Sequence, residues 1–215
     1  MMKLDILSDP ICPWCYIGKH QLEKALAKRE GHPFDIEWHP FQLNPDMVQG
    51  GMDRREYLEN KFGGKDRAVQ VYGQIDAHAK SVGLELNLSD IKKTPNTVDA
   101  HRVIYWAHLE ERQNHVVDAL FKAYFVDGQD IGDHDVLIEC AMAAGLDGMV
   151  VKKLLSSDQD IDLIKERDAH ARSKGVNSVP TFIVANQHAV PGAQPPDLWL
   201  KVIDEAETLL ANDGQ

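Results

Sequence analysis

Two cysteines, Cys12 and Cys15, bracket Pro13-Trp14 in the stretch Ser8-Asp9-Pro10-Ile11-Cys12-Pro13-Trp14-Cys15. Thiols at this spacing can exchange with a disulfide: one attacks, and the other resolves the mixed disulfide. The elements on either side favour that chemistry. Leu4 to Leu7 is a short apolar strand candidate, and Ile17, Leu22 and Leu26 recur at helical spacing after the pair. Cys12 therefore falls at about the first position of a helix, with Cys15 one turn further in. The first N–H groups of a helix lack intrahelical partners and carry partial positive charge. A thiolate is stabilised there, so Cys12 is the expected nucleophile and Cys15 the resolving thiol. Pro13 has the fixed φ that suits a first helical turn. Trp14 offers a large apolar surface beside the sulfurs.

Zinc is the competing use of such a pair, but a structural site needs four ligands. Cys140 is the one further cysteine, and no histidine shows partner spacing, so no metal is expected. A buried, inert pair is the other alternative. The strand-to-helix setting favours redox chemistry over both. Cys140 itself, beside Ile138, Ala141 and Ala144, reads as core packing.

The chain has 215 residues, 43% hydrophobic and 27% charged, with a formal net charge of −11. This is the composition of an ordinary globular protein. The negative charge argues against nucleic acid or an anionic membrane as partner. No apolar run of about 18 residues and no signal peptide are visible, and three cysteines suit a reducing compartment, so a cytoplasmic location is expected.

Phe34 to Trp38 alternates apolar and polar residues, as a half-buried strand does. With the first strand and helix it makes a βαβ unit and a parallel pair. His39 follows at the strand end; it either approaches Cys12 or belongs to a surface loop, and the loop is favoured. From about 53 to 144 the pattern is mostly helical, with pieces over 54–61, 65–82, 115–126 and 136–144. Leu84, Leu86 and Leu88 alternate across a brief extended segment. Thr94 is positioned to cap a helix with Pro95 in its first turn. Two further helices are expected over 148–155 and 157–174. Val179 to Val184 and His188 to Val190 read as a hairpin, and 196–210 as a last amphipathic helix. Pro180 sits at the head of a strand, where it cannot donate to a ladder. A cis Val179–Pro180 bond facing a site and a trans proline on an edge strand both fit.

Three groups of residues together resemble the DsbA family of the thioredoxin superfamily, in its FrnE-like subgroup. That subgroup is related to 2-hydroxychromene-2-carboxylate isomerases and kappa-class glutathione transferases. The groups are Cys12-Pro13-Trp14-Cys15-Tyr16-Ile17-Gly18, then Thr94-Pro95-Asn96-Thr97 with Ala100-His101-Arg102, then Gly175-Val176, Val179-Pro180-Thr181-Phe182 and Gly192-Ala193-Gln194-Pro195. The resemblance implies an α/β protein, a thioredoxin fold interrupted by a large all-helical insertion. Residues 1–43 and 157–215 would form the thioredoxin-like domain and 44–156 the insertion. It implies a cis-proline at Pro180 opposite the redox pair, with Val179 free to pair with an extended substrate. It implies a protein disulfide oxidoreductase without metal or organic cofactor, the Cys12–Cys15 disulfide carrying the electrons. Substrates would be thiol or disulfide proteins or small molecules, with glutathione as a candidate co-substrate. Pro13, Trp14, Val179, Pro180 and Asn96 would contact substrate; Asn96 is equally suited to capping its helix, and His101 to packing. The relatives that isomerise or transfer with glutathione usually carry serine in place of the nucleophilic cysteine. Both cysteines are present here, which favours disulfide exchange and leaves the glutathione-dependent reaction as the alternative. A monomer and a homodimer are both open.

Overall fold

Leu4, Ile6 and Leu7 are all buried, and the strand that carries them is the spine of the molecule. The structure is a computed structural model, and it describes residues 1–29 and 31–213. Strand β1 (Met2–Ser8) is followed by helix α1 (Pro13–Leu26) and strand β2 (Phe34–Pro40). β1 and β2 run parallel, with Met2 beside Phe34 and Ser8 beside Pro40, which is the expected βαβ unit. α1 stops at Leu26.

The next 130 residues or so are helical apart from one small ribbon. Strand β3 (Met52–Asp53), α2 (Arg54–Phe62), α3 (Lys65–Ser81) and strand β4 (Lys93–Thr94) come first. Then follow α4 (Val98–Leu109), α5 (Gln113–Phe125), α6 (His134–Ala143), α7 (Gly148–Leu155) and α8 (Ile161–Ser173). Strand β5 (Thr181–Val184), strand β6 (His188–Pro191) and α9 (Pro196–Asp213) close the fold. The main sheet has the order β2-β1-β5-β6, with β5 antiparallel to β1 and β6 antiparallel to β5. Residues from both ends of the chain thus build one sheet, and the helical stretch leaves and rejoins it. Phe182 of β5 packs edge-on against Trp199 of α9 with ring centroids 4.7 Å apart, and α1 packs alongside. On the helical side, Phe121 and Phe125 of α5 stack against Tyr16 of α1, so the two parts share one apolar core.

Three expectations change, and one holds in detail. Thr94 does not cap a helix: it lies in β4, opposite Met52, and its hydroxyl accepts from Arg54 Nη1 at 3.1 Å. Two-residue strands are too short to show periodicity, so β3 and β4 escape a pattern reading. The helix after Thr94 starts only at Val98, whose N–H is capped by Asn96 Oδ1 at 2.9 Å. The alternation over 84–88 holds: Leu84 and Leu86 are buried and Glu85 is exposed between them, and the segment is held by Asn87 N–H to the Phe125 carbonyl, 2.7 Å. The helix expected from 157 begins at Ile161. Arg102 donates to the carbonyls of Leu154, Ser157 and Gln159, each at 2.7 Å, and holds this segment in a turn. Finally, His39 is not in a loop. It lies in β2 and its ring bonds Asp5 Oδ1 at 2.8 Å.

Candidate active site

Cys12 is the N-cap residue of α1 (φ −90°, ψ 113°) and Pro13 its first helical residue. No side chain caps this end, and no acidic residue lies in the first turn of α1. The Cys12 thiol points across the cleft to the Val179 carbonyl, Sγ to O 3.7 Å. Val179 is joined to Pro180 by a cis peptide bond. Val179 thus lies against the first sulfur, with Pro180 bonded to Val179, and Pro13 and Trp14 follow Cys12 in α1. Cys15 lies one turn along, its N–H donating to the Cys12 carbonyl at 3.1 Å, and both thiols are free.

The two sulfurs differ in surroundings. Burial pushes the Cys15 thiol well above the ordinary thiol range, and neighbouring Cys12 pushes the same way. The Ser8 hydroxyl and the Asp9 N–H oppose this only in part. Cys15 is therefore the protonated partner, suited to wait rather than to attack first. Trp14 remains 38% exposed, and its ring lies 5.2 Å from that of His78 on α3. It offers the apolar surface beside the pair that its position in the motif suggests.

The close approach of α1 to β5 depends on Gly18. A Cβ there would lie 2.9 Å from Pro180 Cγ and 3.4 Å from Phe182 Cζ. Gly18 therefore lets the redox helix and Pro180 meet. Below the pair sits Asp9, fully buried, its carboxylate accepting from Leu43 N–H at 2.6 Å and Ile11 N–H at 3.4 Å. Burial outweighs these bonds and raises its pKa to about 7. His101 Nε2 lies 3.8 Å from the same carboxyl and has no hydrogen-bond partner. Burial lowers its pKa to about 4, against a weak pull from Asp168. Both groups are neutral in the folded protein near pH 6. Asp9 and Gly18 fall inside the stretches around the cysteine pair, but the sequence assigns neither a role. Asp9 had a signal: it is an ionisable residue set between a buried strand and an apolar turn.

Asn96 lies at the head of α4, but both ends of its amide are engaged. Oδ1 accepts from Val98 N–H, and Nδ2 donates to the Met47 carbonyl at 2.6 Å. It works here as a cap and a tie to the 44–51 loop, not as a free amide. Cys140 is buried in α6 among core residues, and burial raises its thiol to about 11. One His-carboxylate cluster, Asp5, Glu37 and His39, has ligand atoms within 4.8 Å of one another. It already holds cations: Lys3 lies 3.0 Å from Glu37 and 3.4 Å from Asp5, and Arg167 lies 3.7 Å from Glu37. Burial alone would raise the Asp5 carboxyl, yet His39 and Lys3 hold it below its ordinary value. No helix among the described residues is long and apolar enough to cross a membrane.

The fold is shared with known proteins. The YwbO protein of Bacillus subtilis is 27% identical over 209 residues, covering 95% of this chain and 96% of that one. The crystal structure of a probable DsbA oxidoreductase from Streptomyces coelicolor superposes with a TM-score of 0.85 at 29% identity, over 97% of this chain and 91% of that one. The cytosolic disulfide reductase DsbM of Pseudomonas aeruginosa, solved with glutathione, shares the fold at 20% identity, with a TM-score of 0.59 over 98% of both chains. The model of the DsbA-like thioredoxin domain matches residues 3–204, nearly the whole sheet-and-helix architecture described above, and the chain belongs to that family.

Proposed function

We propose that this protein is a thiol–disulfide oxidoreductase that works through the Cys12-Pro13-Trp14-Cys15 pair. One observation carries the reading: two free thiols share the first turn of α1, and the outer one faces the Val179 carbonyl beside Pro180. The Cys12 thiolate attacks one sulfur of a substrate disulfide. A Cys12–substrate S–S bond forms, the substrate S–S bond breaks, and the leaving sulfur departs as thiolate. Cys15 then loses its proton and attacks Cys12, releasing the second substrate thiolate. The substrate gains two electrons and the pair becomes a disulfide; the reverse sequence oxidises a dithiol. No metal or organic cofactor is needed for either direction.

The surroundings fit this sequence of events. Cys12 sits at the N-cap of α1, where it meets a substrate disulfide first, whereas burial keeps Cys15 protonated until the mixed disulfide forms. Pro180 has no N–H to bond a sulfur. The backbone of Val179 is placed to pair with an extended segment of substrate, as an added strand would, while Trp14 offers apolar contact. We place the protein in the cytoplasm, among reducing thiols, with glutathione the natural recycling partner. The glutathione bound to cytosolic DsbM, a protein of the same fold, supports that choice.

The test is equilibration with glutathione buffers followed by thiol trapping. A single two-electron couple, lost in Cys12→Ser, is the expected result. A Cys15→Ser chain should stop at the mixed disulfide with glutathione. Full turnover by Cys15→Ser would favour a glutathione-dependent isomerase instead, because that reaction needs no resolving thiol.

A further inference from the structure

A cavity of about 770 Å³ lies within the helical region, between α2, α3 and the 86–92 segment. That is the size of a small-molecule site. Neither cysteine of the redox pair lines it. Val69, Gly73, Asp76 and Lys80 line it and fall on one stripe of α3. His78, which meets Trp14, lies nearly opposite that stripe at 100° per residue.

The floor of the cavity holds an unusual charge. Arg54 is 95% buried, yet no carboxylate lies within ion-pair distance of its guanidinium among the described residues. Its Nη atoms donate to three hydroxyls: Thr94 at 3.1 Å, Tyr124 at 3.2 Å and Tyr72 at 2.5 Å. Its Nε has no partner at all. Arg102 shows what this chain does elsewhere with a buried guanidinium: Asp99 answers it at 2.7 Å and three carbonyls take the remaining donors. A buried cation without a counter-charge is costly unless something else supplies one.

The rim repeats the sign. Five cationic side chains line the cavity against three carboxylates, in a protein of net charge −11. The three carboxylates are all engaged. Glu59 pairs with Arg55 at 2.7 Å, Asp76 pairs with Lys80 at 2.7 Å, and Asp53 caps α2 through Glu56 N–H at 3.0 Å. Arg54, Lys65 and Lys92 are left without a carboxylate partner among the described residues. Between these charges the walls are apolar: Leu58, Leu86, Leu88, Ile91 and Val69, the last 64% exposed. Gly73 keeps the space open in mid-helix, where alanine would be better by about 1 kcal/mol; a Cβ there would meet nothing within 4 Å.

We infer that this cavity is a binding site for a small organic anion, an apolar body bearing one carboxylate, sulfonate or phosphate. The apolar part lies against Val69 and Leu86, and the anionic group is drawn to Arg54 with Lys65 and Lys92. The site is separate from thiol exchange and does not require it.

The probe is 8-anilinonaphthalene-1-sulfonate, followed by fluorescence on the full chain carrying Cys12→Ser and Cys15→Ser. The thiol chemistry then plays no part in the result. Saturable binding at one site per chain is expected. Arg54 also holds three hydroxyls, so the cavity is better blocked from Gly73. Gly73→Phe should weaken binding about tenfold or more, with an unchanged unfolding midpoint showing that the chain is intact. Lys65→Glu with Lys92→Glu should weaken it about tenfold, as should replacing the probe by uncharged N-phenyl-1-naphthylamine. No saturable binding, or equal affinity in the Gly73→Phe chain, would overturn the site. Equal affinity for the uncharged probe would overturn its anion preference and with it the inference.

Discussion

The three cysteines occupy two settings that differ little in burial and much in chemistry. Cys12, Cys15 and Cys140 are 4%, 1% and 6% exposed. Burial alone therefore does not separate a reactive thiol from an inert one. Cys140 sits inside α6, where its carbonyl already bonds the Ala144 N–H and its sulfur meets core residues. Burial, then the charge of Glu139, pushes its proton affinity up. Cys12 is the N-cap of α1, with a second thiol one turn away. What distinguishes the first region is a position at a helix end with a partner thiol one turn away, not accessibility.

The contrast can be broken most severely by activity. Cys12→Ser should remove disulfide turnover down to background, while Cys140→Ser should keep it; equal losses would erase the distinction. At pH 8 a thiol with a pKa of about 11 is ionised to about one part in a thousand. Iodoacetamide should accordingly label the Cys12 peptide far faster than the Cys140 peptide in mass mapping.

The next largest effect is in the pH dependence of stability, because only the first region has an ionisable pair beneath it. The folded pKa of Asp9 is raised to about 7, so its contribution is full below the ordinary carboxyl pKa and is lost as pH rises toward 7. The size is about 4 kcal/mol. The folded pKa of His101 is lowered to about 4, so its contribution is full above about 6.5 and is lost as pH falls toward 4. The two slopes oppose each other between pH 4 and 6.5. Urea unfolding of Asp9→Asn should show stability rising with pH in that window, and His101→Gln should show it falling. Matching slopes in the two variants would refute the assignment.

Smaller changes sharpen the comparison. Gly18→Val places a branched side chain against Pro180 and should destabilise the fold by about 2–3 kcal/mol, read as a lower urea midpoint. Cys140→Ala removes one buried sulfur from a helix interior and should cost only about 1 kcal/mol in the same experiment.

The sequence made the first βαβ unit, the hairpin and most helices legible because each carries a period or a breaker of its own. Cys12 and Cys15 were legible for the same reason: strand, turn and helix around them are local. What stayed hidden depends on contacts across the chain. Thr94 looked like a cap until Arg54, 40 residues away, claimed its hydroxyl. The start of α8 moved because Arg102, more than 50 residues earlier, holds the preceding carbonyls. Asp9 and His101 meet at 3.8 Å across a separation of 92 positions, and neither has a local pattern that announces the other.

The sheet order has a consequence for synthesis. β1 and β2 are made early, but their neighbour β5 begins only at Thr181, and Gly192 closes the hairpin by donating to the Pro180 carbonyl at 2.8 Å. A ribosome therefore releases the thiol pair long before it releases the strand that screens it. Throughout that interval Cys12 and Cys15 lack the Val179 wall, and the β1 segment lacks its β5 partner. Long-range pairing of this kind is slow, and exposed edges invite wrong partners. The nascent chain is thus most vulnerable to oxidation and to misassembly at the same moment, and the last fifth of the sequence ends both.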